Sequence, residues 1–540
     1  MRPPVVRTFA FALGCLAFAP HAAGAVPPGP YAVEEKSIGE LQADLAAGKV
    51  TSETLVRAYL ARIDAVDRNG PALHAVISLN PRALADARAL DAERRAGHVR
   101  GPLHGIPILV KDNVETADGS ATTAGSEALA LNVTRRDAPL VRRLREAGAI
   151  VVGKTNLSEW ANMRSGHSIS GWSAIGGLVK NPNVLDRSAS GSSSGTGAAV
   201  AASLAAAGVG TETDGSITSP AAVNGIVGIK PTVGLVSRTH VVPISHNQDT
   251  PGPMARSVAD VAALLTAMAG SDPADPATAA ADSHKRDYVA ALAGATLRGK
   301  RLGVLRFATG QLPEVDALFD RALATLRAGG AEILELKDYK PDPDLGNLEF
   351  AVLIADLKAD LNAYLATTPP AVQARTLADV IAFDRAHPRE LALFGQEFFE
   401  QAEATKGLDD PAYVAALAKA KRLAGADGID KLLADNHLDA LIGPSDGPAS
   451  RIDVAAGDHL VSGGISTLPA IAGYPHLTVP MGQVDGLPVG ISFVGPAWSE
   501  DRLLALGEPF ERAAHARRPP QYVPSLEATQ RVRALLAPER

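Results

Sequence analysis

Residues 186–231 read DRSASGSSSGTGAAVAASLAAAGVGTETDGSITSPAAVNGIVGIKP. Two loops dense in Ser and Gly, 191–195 and 211–216, flank an Ala-rich run. Glycine lets the backbone turn tightly and approach a ligand closely, and serine adds a compact hydroxyl that both donates and accepts. Segments of this composition are commonly flexible linkers. Here the apolar runs VVGKTN and GIVGIKP bound the stretch, so the two loops read as one site held inside a fold.

Outward from that stretch, apolar runs alternate with helical periodicity. The pattern predicts a strand over 106–111, a helix over 137–147 with Leu140, Val141 and Leu144 on one face and Gly148 as its stop, and a strand over 149–152. A helix over 198–207, a strand over 226–230 and a helix over 257–270 follow. The alternation returns with a strand at 300–307, a helix at 313–328 and strands at 331–336, 440–444, 477–480 and 489–494. Before the first strand, 37–68 and 81–97 read as amphipathic helices, and Thr51-Ser52-Glu53 offers an N-cap within the first. Residues 337–430 are mostly helical and charged and carry no motif with chemistry attached. Strand–helix alternation of this kind predicts an α/β layered fold around a largely buried sheet. With no internal repeat and no clear linker, one large domain is expected.

The chain has 540 residues, 46% hydrophobic and 21% charged, the composition of an ordinary globular protein. Aromatics make up only 4%, so packing must rest on close approach of small residues. A net charge of −7 without a long basic run argues against nucleic acid as a partner. Residues 1–25 have the pattern of a secretory signal peptide: Arg2 and Arg7, an apolar run from Phe9 to Phe18, then Ala23-Gly24-Ala25. The run is too short to span a bilayer. Its removal would shift the charge from −7 to −9 and take away Cys15, the single cysteine, leaving a thiol-free chain suited to a periplasmic or secreted location, with no membrane attachment after processing.

Several chemistries can be weighed on the residues. Gly191-Ser192-Ser193-Ser194-Gly195 fits G-x-S-x-G with Ser193 at its centre, but residues 186–190 are not the apolar strand a nucleophile elbow needs. His104, His167, His240 and His246 fall in the motif-rich third, and composition alone leaves a His base open. No zinc-ligand spacing, P-loop or dinucleotide-binding glycine pattern is present, so neither metal nor cofactor is expected.

GPLHGIPILVKDNV, GSSSGTGAAVAA, GTETDGSITSPAAVNGIVGIKPT and GPMARSVAD, in that order, resemble the amidase signature family. The resemblance spans residues 36–515, with a motif-rich core over 101–270, and the Thr-Glu-Thr-Asp-Gly-Ser form is most similar to bacterial peptide amidases. It implies an α/β/α fold with a mixed central sheet covered by helices. It also implies a Ser–cis-Ser–Lys triad: Lys111 of the KDN motif as base, Ser192 as the serine after a cis bond, and Ser216 as nucleophile, twenty-four residues on. The backbone N–H groups of Thr213, Asp214, Gly215 and Ser216 would form the oxyanion hole, with Ser193 and Trp172 contacting substrate.

The reaction so implied is hydrolysis of a neutral carboxamide with release of ammonia, the C-terminal amide of a peptide being the favoured substrate. An aryl or aliphatic amidase, an amidotransferase A-type subunit and a non-catalytic binding protein on the same scaffold are the alternatives. The family's carboxylate-binding Arg after the nucleophile is absent from Ile217-Thr218-Ser219-Pro220, which favours a neutral acyl group. Asp214 stands where many members carry Gly, and it either staples the loop or meets substrate.

Overall fold

A computed structural model describes residues 31–459 and 464–536. The expected signal segment, residues 1–25, lies outside the described residues. Thirteen strands occur among the described residues: β1 (Val76–Leu79), β2 (Pro107–Lys111), β3 (Ile150–Thr155), β4 (Trp172–Ser173), β5 (Gly177–Leu178), β6 (Ala207–Glu212) and β7 (Val227–Lys230). They continue with β8 (Thr250–Ala255), β9 (Arg301–Leu305), β10 (Glu332–Leu336), β11 (Ala440–Pro444), β12 (His476–Val484) and β13 (Leu487–Val494).

Eleven of them form one sheet in the order β1-β3-β2-β6-β8-β7-β12-β13-β11-β9-β10, and β4 pairs with β5 in a small ribbon. The sheet is mixed. Strands β3, β2 and β6 run parallel, as do β10, β9 and β11, while β8, β7, β12 and β13 are joined antiparallel. Every residue of β2, β3, β6, β7 and β8 is buried, so these strands are rich in small and apolar residues and do not alternate apolar with polar.

The 37–68 stretch divides into helices Ile38–Ala46 and Ser52–Arg62, and the second is capped as its sequence suggests, Thr51 Oγ1 accepting from the Thr54 N–H at 3.1 Å. One expectation fails. The helix placed over 198–207 instead spans Ser194–Ala201, and Ala207 already belongs to β6. Packing overrides propensity at its start: a Cβ on Gly195 would lie 2.4 Å from the carbonyl oxygens of Ala75 and Asn156, so only glycine lets this first turn close on the sheet. At its end, Ser203 turns to φ 55°, and the Arg256 guanidinium donates to the carbonyls of Val200 and Ala205 at 3.1 and 2.9 Å, satisfying groups a longer helix would have bonded itself.

Strands β1, β6 and β8 have no counterpart in the periodicity reading. The runs of β6 and β8, AGVGTE and TPGPMA, are dominated by Gly, Ala and Pro, residues with little strand preference. Residues 337–430 are indeed helical, led by Leu345–Leu365, and pack a separate apolar cluster against Trp160 and Leu129.

Candidate active site

β2 and β6 are parallel neighbours, Val110 aligned with Val209, so Lys111 and the Thr211–Ser216 loop leave the sheet together at its carboxyl edge. Open α/β sheets place ligands at such edges. The helix Ser194–Ala201 runs back against β6, which brings Ser192 and Ser193, just before its first turn, to the same edge.

Lys111 is fully buried, and its Nζ lies 2.7 Å from Ser192 Oγ, 2.9 Å from Thr211 Oγ1 and 3.3 Å from the Thr211 carbonyl. None of these partners is a carboxylate. Burial therefore dominates and pulls the ammonium down to about 7, against the weaker upward pull of Asp249 and Glu212. Asn113 Nδ2 donates to the same Thr211 hydroxyl at 2.9 Å, which fixes Thr211 between the KDN motif and the second loop. Neither Thr211 nor Asn113 was singled out from sequence, although both sit inside the quoted motifs.

The Gly191–Ser192 peptide bond is cis. The Ser192 carbonyl accepts from the Ser158 N–H at 3.1 Å, and the Ser193 N–H donates to the Ser216 carbonyl at 3.1 Å. That second bond ties the two loops to each other and sets Ser216 beside the Ser192–Ser193 peptide. Glu212 holds the other side of Ser216: its Oε2 accepts from the N–H groups of Ile217 and Thr218 at 2.7 and 2.9 Å, so the residue after Ser216 is already committed to the next helix. Gly215 makes the turn at φ 74°, a conformation side chains rarely adopt. Among the described residues, the N–H groups of Thr213, Asp214, Gly215 and Ser216 have no hydrogen-bond partner, four donors in a row on one turn.

Ser193 and Trp172, expected to contact substrate, are taken up by the protein itself. Ser193 Oγ donates to the Thr211 carbonyl at 3.0 Å and accepts from the Thr211 N–H, stapling the first loop to β6. Its hydroxyl is thus committed, against the G-x-S-x-G reading. Trp172 packs edge-on against Phe394 and lies beside Arg164, which stacks 4.3 Å from the Phe394 ring and pairs with Glu159 at 3.0 Å. Asp214 Oδ2 accepts from Thr467 Oγ1 at 2.8 Å, the loop-stapling alternative. Its carboxyl is pushed up by burial. No histidine hydrogen-bonds to Ser192 or Ser216 among the described residues: His104 bonds to the Leu90 carbonyl and His246 pairs with Asp360.

A cavity of about 340 Å³ is lined by Asn113, Thr211, Thr213 and Asp249 together with Arg238 and Val242.

Residues 54–504 match the family described as Amidase. The chain belongs to the amidase family. A peptide amidase crystallised with the competitive inhibitor chymostatin is 52% identical, with a TM-score of 0.87 over 90% of this chain and 99% of that one. The native peptide amidase of Stenotrophomonas maltophilia is 51% identical, TM-score 0.85, over 91% and 99% of the two chains. A probable amidase of Arabidopsis thaliana is 40% identical over 91% of this chain and 93% of its own. Glutamyl-tRNA(Gln) amidotransferase A subunits are among the relatives too, that of Acidothermus cellulolyticus at 37% over 88% of this chain and 94% of its own. With this membership, the protein is an amidase, a hydrolase of amide C–N bonds on the mixed-sheet α/β fold of its family.

Proposed function

We propose that this amidase hydrolyses a neutral primary carboxamide by acyl transfer to Ser216, with Ser192 relaying protons to and from Lys111. The observation that carries the reading is the 2.7 Å contact between Lys111 Nζ and Ser192 Oγ, made by a buried lysine with no carboxylate against it. A lysine can act as base only when neutral, and its pull-down to about 7 makes the neutral form accessible near neutral pH.

Ser216 Oγ attacks the amide carbon while its proton passes to Ser192 and that of Ser192 passes to Lys111. The carbonyl oxygen becomes an oxyanion facing the unpartnered N–H groups of residues 213–216, donors fixed before the charge develops. The proton then returns through Ser192 to the departing nitrogen. The C–N bond breaks, ammonia leaves and an ester on Ser216 remains. Water, deprotonated along the same route, cleaves that ester to a carboxylic acid and restores the serine.

The favoured substrate is the C-terminal amide of a peptide. The likeness to peptide amidases over nine-tenths of the chain supports it, as does the run Ile217-Thr218-Ser219-Pro220, which offers no cation for an acidic acyl group. Incubated alone with peptide amides, aryl amides and aliphatic amides, the pure protein should release ammonia fastest from the peptide amides. Faster release from aryl or aliphatic amides would reassign the substrate, and none from any class would point to a partner-dependent or binding role. Residues 1–25 support export to the periplasm or beyond. N-terminal sequencing of the mature protein should begin at Val26, and a chain retaining Met1 in the cytosol would refute it.

A further inference from the structure

The antiparallel pairing of β6 with β8 ends at Glu212 opposite Thr250. One residue further, Thr213 faces Asp249, and side chains replace the ladder there. Thr213 Oγ1 donates to Asp249 Oδ1 at 2.6 Å, and Gln248 Nε2 donates to the Thr213 carbonyl at 3.3 Å. The other carboxylate oxygen of Asp249 accepts from the N–H groups of Ile244 and Ser245 at 2.7 and 3.0 Å, so the group is held from two sides. Thr213 is thereby anchored by its hydroxyl and carbonyl while its N–H stays free of the ladder.

We propose that Asp249 is a positioning residue of the hydrolytic site, fixing the Thr213 end of the oxyanion loop and keeping a negative charge on the far side of Thr211 from Lys111. This rests on the reading of Lys111 as the base. Asp249 touches neither Lys111 nor Ser216; it acts through Thr213 and through its field. Asn113, Thr211, Thr213 and Asp249 line the same cavity, and Lys111 donates to Thr211 at 2.9 Å, so Thr211 lies between the lysine and the space the carboxylate lines. The charged groups around it are Lys111 on β2, Glu212 on β6, Arg238, ion-paired with Asp275 at 2.6 Å, and Asp360, which engages His246 at 2.9 Å. Burial raises the Asp249 carboxyl to about 6, and in its charged form it holds the Lys111 ammonium up against the burial that pulls it down.

The test is the pH profile of kcat/KM for a primary peptide amide, measured on the whole protein. Activity rises with pH as Lys111 loses its proton. Removing the neighbouring negative charge favours the neutral lysine, so the acid limb of Asp249→Asn should move to lower pH by ~0.5–1 unit. Its plateau should fall about tenfold as Thr213 loosens. Thr213→Val should lower the plateau with the limb unmoved. Asp249→Glu keeps the charge and displaces the carboxylate, so it too should lose plateau activity with its limb in place, and it serves if the Asn variant does not fold. A merely structural role would lower the plateau in Asp249→Asn without moving the limb, and that result would overturn the proposal. So would a downward shift in Asp249→Glu. Neither result touches the base assignment, which is judged on loss of turnover in Lys111→Ala.

Discussion

Lys111 and Lys154 are two fully buried lysines on adjacent parallel strands, β2 and β3, with opposite surroundings. Lys154 Nζ reaches Asp112 Oδ1 at 3.4 Å, the Val114 carbonyl at 2.7 Å and Thr122 Oγ1 at 2.8 Å, so a carboxylate, a carbonyl and a hydroxyl surround it. Lys111 has hydroxyls and a carbonyl and no carboxylate in contact. The residue type, burial and strand environment are shared, and the missing carboxylate is what frees one lysine to give up its proton. With no carboxylate in contact, the burial that pulls the Lys111 ammonium down prevails.

The comparison can be broken most sharply at the lysines themselves. Lys111→Ala should cut turnover by ~10³-fold or more and leave the melting curve close to that of the parent. Lys154→Met should do the reverse, leaving Asp112 buried without its cation at a cost of ~3–5 kcal/mol, read by urea unfolding, with any loss of rate following the folded fraction. Were Lys154→Met stable and inactive, the roles of the two lysines would have to be exchanged.

Next in size is the pH dependence. With Lys111 pulled to about 7, kcat/KM should fall about tenfold per pH unit well below that value, the protonated lysine being unable to accept from Ser192. A limb centred near the ordinary lysine value would mean that burial does not act as argued. Ser193→Ala should have a smaller effect, removing the staple to Thr211 at about 1 kcal/mol of stability and a few-fold in rate. Loss of all turnover in Ser193→Ala would restore the G-x-S-x-G serine as nucleophile. The smallest effect is expected of Asp214→Asn, which keeps an acceptor for Thr467, with a rate within about threefold of the parent.

What the residue pattern revealed followed from how local its causes were. The cap at Thr51, the buried run of β2 and the helix Pro313–Ala328 depend on neighbours in the chain and were legible. β6, β8 and the true start of the Ser194–Ala201 helix were not, because small residues take their conformation from what presses on them, as Gly195 does against Ala75 and Asn156. In the site, Lys111, Ser192 and Ser216 came from motifs that resemble a family. Thr211 lies within a quoted motif but takes its role from its contact with Lys111, and Asp249 takes its role from facing Thr213 just beyond the end of the β6–β8 pairing.

The central claim, that Ser216 carries the acyl group, is best tested by trapping it. Intact-mass measurement after mixing with a slowly deacylating ester or amide, followed by peptide mapping, should show one acyl increment on Ser216 that is absent from Ser216→Ala. An adduct mapped to Ser193 or Ser192, or an acylated Ser216→Ala protein that still turns over, would contradict it.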